Sequence, residues 1–314
     1  MDRAILLNMV SRYDYQGGVW IDLERPTGEE VREILREFSI SERIGTELLS
    51  PTPVPLSAAD AGAALLVLHF PAPRIADELE HKSQEIDFIV GRQFILTVRY
   101  ELVTPLHHLK KILETEATIA GSASVTTDVL LELLFAHLYA AVREHLHAAA
   151  SRLTHLEREM FSGHERRTVL AISDLSRDFL HLEATLVNHE ETLSRFLKGL
   201  VERKLFGASF AERMQRIMAE RSHAAHLTHT YRAVAAELRE TNMALLETRQ
   251  NDIMKTLTTI TVVVLPLELI SFIFAMHMKG TPLENDPNAF WIVLASMFIA
   301  CGVAVAYLAR KKWL

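Results

Sequence analysis

Hydrophobic residues are concentrated in two runs near the C-terminus, residues 256–276 and 290–309. Each run has the roughly 20 residues that an α-helix needs to cross about 30 Å of hydrocarbon. Glu268 is the single charged side chain within either run. The pattern therefore predicts two transmembrane helices, joined by an external loop over 277–289 that carries two acidic residues, Glu284 and Asp286.

Basic residues flank both runs on the side away from this loop. Lys255 precedes the first run, and a basic tail, residues 310–314, follows the second. Because basic flanks stay on the cytoplasmic side, both termini are expected in the cytoplasm of a multi-pass inner-membrane protein. The first 18 residues lack the long apolar core and the cleavage site of a signal peptide, so the N-terminal 250 residues are expected in the cytosol.

The chain before the first run has two kinds of pattern. Residues 1–125 contain a helical segment, TGEEVREILREF, a proline-rich connector, SPTPVPLSAAD, and four strand-like stretches, GVWIDL, AALLVLHF, IDFIVG and RQFILTVRY. From Thr126 the pattern becomes helical and predicts a hairpin over 126–207. Because 208–265 contains neither Gly nor Pro, a long stalk helix over 208–276 can continue into the first span. We expect a cytosolic α/β domain followed by helices.

Composition narrows the range of functions. The 314 residues are 49% hydrophobic with a formal charge of −7, and the single cysteine, Cys301, lies inside the second run without a disulfide partner. Nothing in the sequence matches a nucleophile elbow, a phosphate-binding glycine loop or a zinc finger. We therefore expect no enzyme, no bound cofactor and no nucleic-acid partner.

Three histidines recur at three-residue spacing in the predicted stalk helix: His223, His226 and His229. Two imidazoles at this spacing can share a metal ion. Three successive positions drift around the helix, since three residues fall short of a full turn, and so three ligands to one ion are awkward. Solvated or packed histidines are the alternative interpretation.

Polar residues mark one face of the first span. This face, the polar stripe, alternates steps of three and four residues through Asn251, Met254, Thr258, Thr261, Leu265, Glu268 and Phe272. A carboxylate in the bilayer interior costs roughly 2.5–3.5 kcal/mol or more, so Glu268 normally faces protein or water. Two spans cannot enclose a pore, so several copies are expected to assemble with the stripe inward. Ordinary helix packing is the alternative.

The C-terminal residues resemble those of the CorA-type divalent-metal transporters. The resemblance rests on NDIMKTLTTITVVVLPLELISFIFAMHM, the short acidic loop, the second span and the terminal KKWL, and the stretches WIDL and FILTV extend it over the chain. It implies an α+β membrane protein with a cytosolic α/β domain, a long stalk helix and two transmembrane helices per subunit. It further implies a homopentamer in the lipid bilayer, a pore lined by the first span, and metal-dependent gating.

The sequence departs from the family where the resemblance places the selectivity ring. The family's Gly-Met-Asn signature is replaced by Ala275, Met276 and His277. Neutral imidazoles offer nitrogen ligands, which favour Zn²⁺, Ni²⁺ or Co²⁺ over Mg²⁺, whereas protonated imidazoles repel cations. A ring of Glu268 carboxylates would form a cation site, a proton carrier or both. Three functions remain: a channel or transporter for divalent cations, a non-conducting membrane-anchored metal sensor or scaffold, and a membrane-bound enzyme.

Overall fold

The computed structural model describes residues 10–15, 17–48, 50–60, 62–71, 83–101, 103–120, 125–275 and 288–310. The chain divides into two compact units, Met1–Arg239 and Glu240–Leu314. The boundary falls inside the longest helix.

A six-stranded sheet forms the centre of the first unit, in the order β1-β2-β6-β5-β4-β3. The parallel pair is β2 with β6, and the other neighbouring strands are antiparallel. The strands are β1 (Val10–Tyr15), β2 (Gly18–Glu24), β3 (Leu56–Ala59), β4 (Ala64–Pro71), β5 (Ser83–Val90) and β6 (Phe94–Arg99).

Two short helices, α1 (Gly28–Glu37) and α2 (Glu42–Glu47), precede β3 along the chain. A capping box between Thr27 and Glu30 begins α1. Helix residues pack with alternate strand residues in one hydrophobic cluster, which includes Val31, Ile44, Ile21, Leu65, Val67, Ile89 and Val98. Since strand side chains alternate between faces, these strand residues define the sheet face towards α1 and α2.

Longer helices supply side chains to the opposite face of the sheet. They are α3 (Thr104–Ala120), α4 (Thr127–Phe161) and α5 (Glu165–Glu202). Phe88 of β5 packs on Phe135 of α4 with ring centroids 5.1 Å apart, and Phe70 of β4 packs on Tyr139 at 5.7 Å. Aromatic contacts at these separations join the sheet to the helical hairpin α4–α5.

The long helix α6 (Phe210–Ala275) has 66 residues and contains Pro266. Within the first unit, α6 is tied to α4 by ion pairs: Arg213 lies 2.7 Å from both Asp128 and Glu132, and Arg216 also pairs with Glu132. The two arginines lower the pKa of Glu132. These ion pairs attach the first part of α6 to the helical hairpin.

Several elements differ from the sequence-based predictions. The last part of the predicted connector SPTPVPLSAAD forms β3, which pairs with β4 through Leu56 and Val67. Helix α3 begins at Thr104, before the predicted onset of helix at Thr126, because Pro105 lies in its first turn, where proline is tolerated. Strand β1 was not predicted at all. The four predicted strand-like stretches are confirmed as β2, β4, β5 and β6, and the continuous long helix is confirmed as α6.

The hairpin between β1 and β2 turns at a glycine that cannot be replaced without strain. Gly18 has a φ of +152°, and an added Cβ would lie 1.8 Å from the carbonyl oxygen of Gln93. This close approach belongs to the start of the parallel pair, where the Val19 amide donates to Gln93 at 2.9 Å. Glycine therefore allows β2 to run directly against β6.

Candidate functional site

The polar stripe lies on a single uninterrupted helix in the second unit. All seven residues from Asn251 to Phe272 are within α6, which continues through Pro266 to Ala275. Six of the seven side chains are exposed in the single chain, and Thr258 is half-buried. Helix α7 (Ala289–Arg310) is the second long apolar helix of this unit.

Both helices are long and apolar enough to cross a membrane. No residue of the apolar window of α6 is buried against the described part of the chain. Large side chains on the stripe are among the exposed ones, with Leu265 at 58% and Phe272 at 68% exposure. An apolar surface of this extent is stable only against lipid or against other protein chains.

The stripe threonines present oxygen rather than hydrogen to their surroundings. The Thr258 hydroxyl donates to the Met254 carbonyl at 2.8 Å, and the Thr261 hydroxyl donates to the Leu257 carbonyl at 2.9 Å. A hydroxyl has one hydrogen and two lone pairs, so each of these side chains keeps acceptor capacity. Such oxygens suit a cation or its water shell.

Glu268 adds the stripe's single negative charge. It follows Pro266 by two residues and is exposed on α6. On the neighbouring turn, the Ser271 hydroxyl donates to the Leu267 carbonyl at 2.9 Å and lies 3.9 Å from the sulfur of Met297 on α7. Ser271 thus marks the side of α6 that contacts α7, about 60° around the helix from Glu268.

The predicted selectivity residues lie mostly outside the described residues. Ala275 is the last residue of α6. Met276 and His277, and the acidic loop residues Glu284 and Asp286, fall in the range 276–287, which the structure does not describe. Their roles stay predictions.

The three histidines of the predicted stalk helix are exposed on the α6 surface: His223, His226 and His229. Among the residues that the structure describes, no three His, Cys, Asp or Glu side chains converge as metal ligands. A single ion held by all three histidines therefore stays a prediction without geometric support.

Buried titratable groups in the first unit were missed by the sequence analysis. His189 of α5 donates from Nε2 to the His69 carbonyl at 2.8 Å, which leaves Nδ1 to accept from the Tyr139 hydroxyl at 3.2 Å. Burial lowers the pKa of His189 to about 4. On β5, Glu85 and Asp87 are buried, and burial raises the pKa of Asp87 to about 8. For Glu85 and Asp87, the available signal was a pair of carboxylates at alternate positions of one strand.

The model of one protein family, described as "CorA-like Mg2+ transporter protein", matches residues 15–311. This chain belongs to the CorA family. The CorA match covers strands β2 to β6, the helical hairpin, the long helix α6 and the second apolar helix α7. The chain is accordingly a membrane protein, and α6 and α7 contain its two transmembrane spans.

Individual CorA relatives are distant in sequence. The cobalt/magnesium transport protein CorA of Methanocaldococcus jannaschii is 22% identical over 315 residues, covering 98% of this chain and 95% of the relative. The protein of the same name from Thermotoga maritima is 26% identical over 162 residues, covering 51% of this chain and 45% of the relative.

Solved structures show the CorA fold over the whole chain. The CorA magnesium transporter of M. jannaschii matches with a TM-score of 0.76 at 22% identity, covering 98% of this chain and 95% of that chain. The full-length CmaX protein matches with a TM-score of 0.67 at 17% identity, covering 99% and 92%. At these identities the matches establish the fold.

Proposed function

We propose that the protein is a homopentameric channel or transporter that moves divalent cations across the cytoplasmic membrane, with the polar stripe of α6 lining the pathway. The polar stripe is the observation that supports this proposal most directly. Glu268 and the acceptor hydroxyls of Thr258 and Thr261 lie on one face of an exposed helix that is long enough to cross a membrane. Symmetry mates would shield this face from lipid. Family membership and the transport function named for the relatives support the same proposal.

Glu268 is the proposed centre of the pathway. Carboxylates from several subunits in a narrow pore cannot all ionise without a counter-cation, so a Glu268 ring would hold a cation or share protons. Hard divalent cations prefer oxygen ligands, and Mg²⁺ keeps much of its water shell. The Thr258 and Thr261 oxygens would accept hydrogen bonds from that shell. The proposed cargo is therefore a divalent cation, either Mg²⁺ or one of the transition metals Co²⁺, Zn²⁺ and Ni²⁺.

His277 is the proposed selectivity residue at the outer end of the pathway. It stands at the position of the family's signature Asn, as the resemblance implies, and it follows Ala275 by two residues. A neutral imidazole can replace water on a transition metal, which an amide does less readily. Substitution of the signature would then shift cation preference towards Zn²⁺, Co²⁺ or Ni²⁺ without removing the pathway.

Flux into proteoliposomes tests this function directly. Uptake of Mg²⁺, Co²⁺, Zn²⁺ and Ni²⁺ would be compared side by side for the unaltered protein, for Glu268→Gln and for a control, Thr256→Val. We expect Glu268→Gln to reduce uptake at least about tenfold, a loss of about 1.4 kcal/mol, because it removes the charge while keeping the side-chain volume. Thr256 lies on the opposite side of α6 from the stripe, so Thr256→Val is expected to transport normally.

Two results would contradict the proposal. Equal cation uptake by Glu268→Gln and the unaltered protein would show that Glu268 contributes to helix packing and not to transport. No uptake of any of the four cations by a correctly assembled protein would favour the second function, a membrane-anchored metal sensor or scaffold with the same fold.

A further inference from the structure

Two carboxyl side chains interrupt the apolar sheet face that covers α1 and α2. Glu85 and Asp87 are two residues apart on β5, so both point to the same face as Ile89. Asp87 is fully buried, and Glu85 is 9% exposed. The residues directly opposite Asp87 on the neighbouring strands are Val67 and Val98, so these two positions offer it no polar side chain.

The groups that face Asp87 favour its protonated form. Burial contributes most to its raised pKa of about 8, followed by the charge of Glu85, a hydrogen bond with Glu85, and the charge of Glu47 on α2, while a hydrogen bond from Tyr100 opposes them. On β4, Nε2 of His69 lies 3.6 Å from Oε2 of Glu85, and Glu85 in turn interacts with Asp87. Near neutral pH, Asp87 therefore carries a proton, which it shares with Glu85.

The same cluster fastens the segment that leaves α2. Leu48 caps α2, and residues 50–55 form the proline-rich connector to β3. The Thr52 amide donates to both carboxylate oxygens of Glu85 at 2.8 Å, and the Thr52 carbonyl lies 2.8 Å from Nε2 of His69. Because prolines have no amide hydrogen, alternate residues of this connector cannot donate, and these side-chain bonds hold it to the sheet.

Tyr100 has one hydroxyl hydrogen and two acceptors within reach. Its oxygen lies 3.3 Å from the Leu48 carbonyl and 3.4 Å from Oδ2 of Asp87. An ionised carboxylate is a stronger acceptor than a peptide carbonyl, whereas a neutral carboxyl group is not. The protonation of Asp87 thus determines which acceptor takes the hydrogen.

We propose that Tyr100 is a two-position hydrogen-bond switch, which fastens the Leu48 carbonyl while Asp87 is protonated and turns to the Asp87 carboxylate when the proton leaves. When the Tyr100 hydroxyl moves to Asp87, the Leu48 carbonyl at the end of α2 loses its hydrogen bond and the connector loosens. Burial and the neighbouring carboxyl groups raise the pKa of Tyr100, so its hydroxyl stays a donor throughout. The released proton goes to solvent, and the device responds to alkaline pH.

Hydrogen–deuterium exchange of the full-length protein in detergent tests the switch without reference to transport. Protection of the segment 46–58, which contains the end of α2 and the connector, would be measured at about pH 7 and about pH 9, corrected for the intrinsic exchange rate, with residues 64–68 in the sheet as reference. We expect connector protection in the unaltered protein to fall about tenfold while the reference stays constant. Asp87→Asn keeps the neutral state and should retain protection at about pH 9.

Tyr100→Phe removes the switching hydrogen and should lower connector protection equally at both pH values. Tyr231→Phe is the matched control, because Tyr231 bonds His147 on the hairpin, and it should behave as the unaltered protein does. The proposal fails if connector protection in the unaltered protein is independent of pH, or if Asp87→Asn loses protection as the unaltered protein does. The proposal also fails if Tyr100→Phe keeps normal connector protection at about pH 7. This measurement decides the question even if Asp87→Asn does not fold.

Discussion

The guanidinium of Arg99 lies 2.9 Å from the carboxylate of Asp22, and both side chains are 4% exposed. Arg99 also reaches Glu24 at 2.7 Å, and Asp22 accepts a hydrogen bond from Thr97 at 2.7 Å. The pair bridges β2 and β6, the two parallel strands. A buried cation here neutralises two carboxylates that would otherwise repel one another.

Loss of this cation should destabilise the first unit strongly. Arg99→Met keeps much of the side-chain volume but leaves the buried Asp22 and the half-buried Glu24 without a counter-charge, so we expect it to lower the free energy of unfolding by about 3–5 kcal/mol. Thermal unfolding of the full chain in detergent, followed by tryptophan fluorescence, would measure this, since Trp20 donates to Thr97 at 3.0 Å beside the pair.

The control is an exposed arginine pair of the same chemistry. Arg195 and Glu191 pair on α5, with side chains 66% and 80% exposed. Arg195→Met should cost less than about 0.5 kcal/mol, because water screens an exposed pair. Equal losses from the two substitutions would show that the Arg99 cluster contributes no more than a surface ion pair.

Acid should weaken the contact between the sheet and the hairpin through His189. In the folded protein the pKa of His189 is about 4, below the usual histidine value of 6.5. Between about pH 4 and about pH 6.5 the unfolded chain therefore binds a proton at His189 more readily than the folded chain does. Stability associated with neutral His189 is present above about pH 6.5 and is lost as the pH falls towards about 4, by an amount on the order of 2–3 kcal/mol. Unfolding measured against pH should show this slope.

His189→Gln separates this titration from other acid effects. Glutamine has no group that ionises in this range, so the variant should be less stable at neutral pH yet show a shallower loss between about pH 6.5 and about pH 4. His155→Gln, at an exposed site on α4, is the control and should keep the full slope. An unchanged slope in His189→Gln would assign the acid sensitivity to other groups.

Periodicity predicted the elements whose burial is regular along the chain. The strands β2, β4, β5 and β6 are largely buried on both faces, and each contains a mainly apolar stretch that marked it as a strand. The long helix was predictable because α6 lacks Gly and Pro until Pro266. Strand β3 was not predictable from its own residues, since its order comes from pairing with β4, and α3 carries Pro105 in its first turn, ahead of the segment where the helical pattern was recognised.

The two sites differ in how far the sequence could reveal them. The polar stripe lies on one helix, so its spacing alone placed Thr261 and Glu268 on one face, and the structure confirms that both belong to the same unbroken helix. The switch joins Leu48, Asp87 and Tyr100, which are far apart in the sequence. Only the sheet register and the position of α2 bring these three groups together. No local pattern encodes that contact.

The exposed stripe leads us to expect an oligomer. The purified protein in mild detergent should have about five times the protomer mass of 35.5 kDa, because symmetry mates must cover Glu268 and the stripe threonines. Light scattering coupled to size-exclusion chromatography measures this mass, and denaturation in SDS should return the protomer. A stable monomer before denaturation would exclude a pore formed between subunits.

His277 should make cation uptake depend on external pH. An imidazole in water titrates near pH 6.5, and charged imidazoles around one axis oppose a cation. Above this range a His277 ring offers lone pairs to a transition metal, and below it the accumulated charge repels cations. We expect uptake to fall several-fold between about pH 7.5 and about pH 5.5.

The variant His277→Asn restores the amide of the family signature, and it should flatten this pH profile and shift preference from Zn²⁺, Co²⁺ or Ni²⁺ towards Mg²⁺. His155→Asn, on the exposed surface of α4, controls for titration of other histidines. A proton gradient that drives transport would raise uptake at low external pH and mask the effect, so the profiles must be repeated with equal pH on both faces. Superimposable profiles and unchanged cation preference in His277→Asn under that condition would exclude His277 from the pathway.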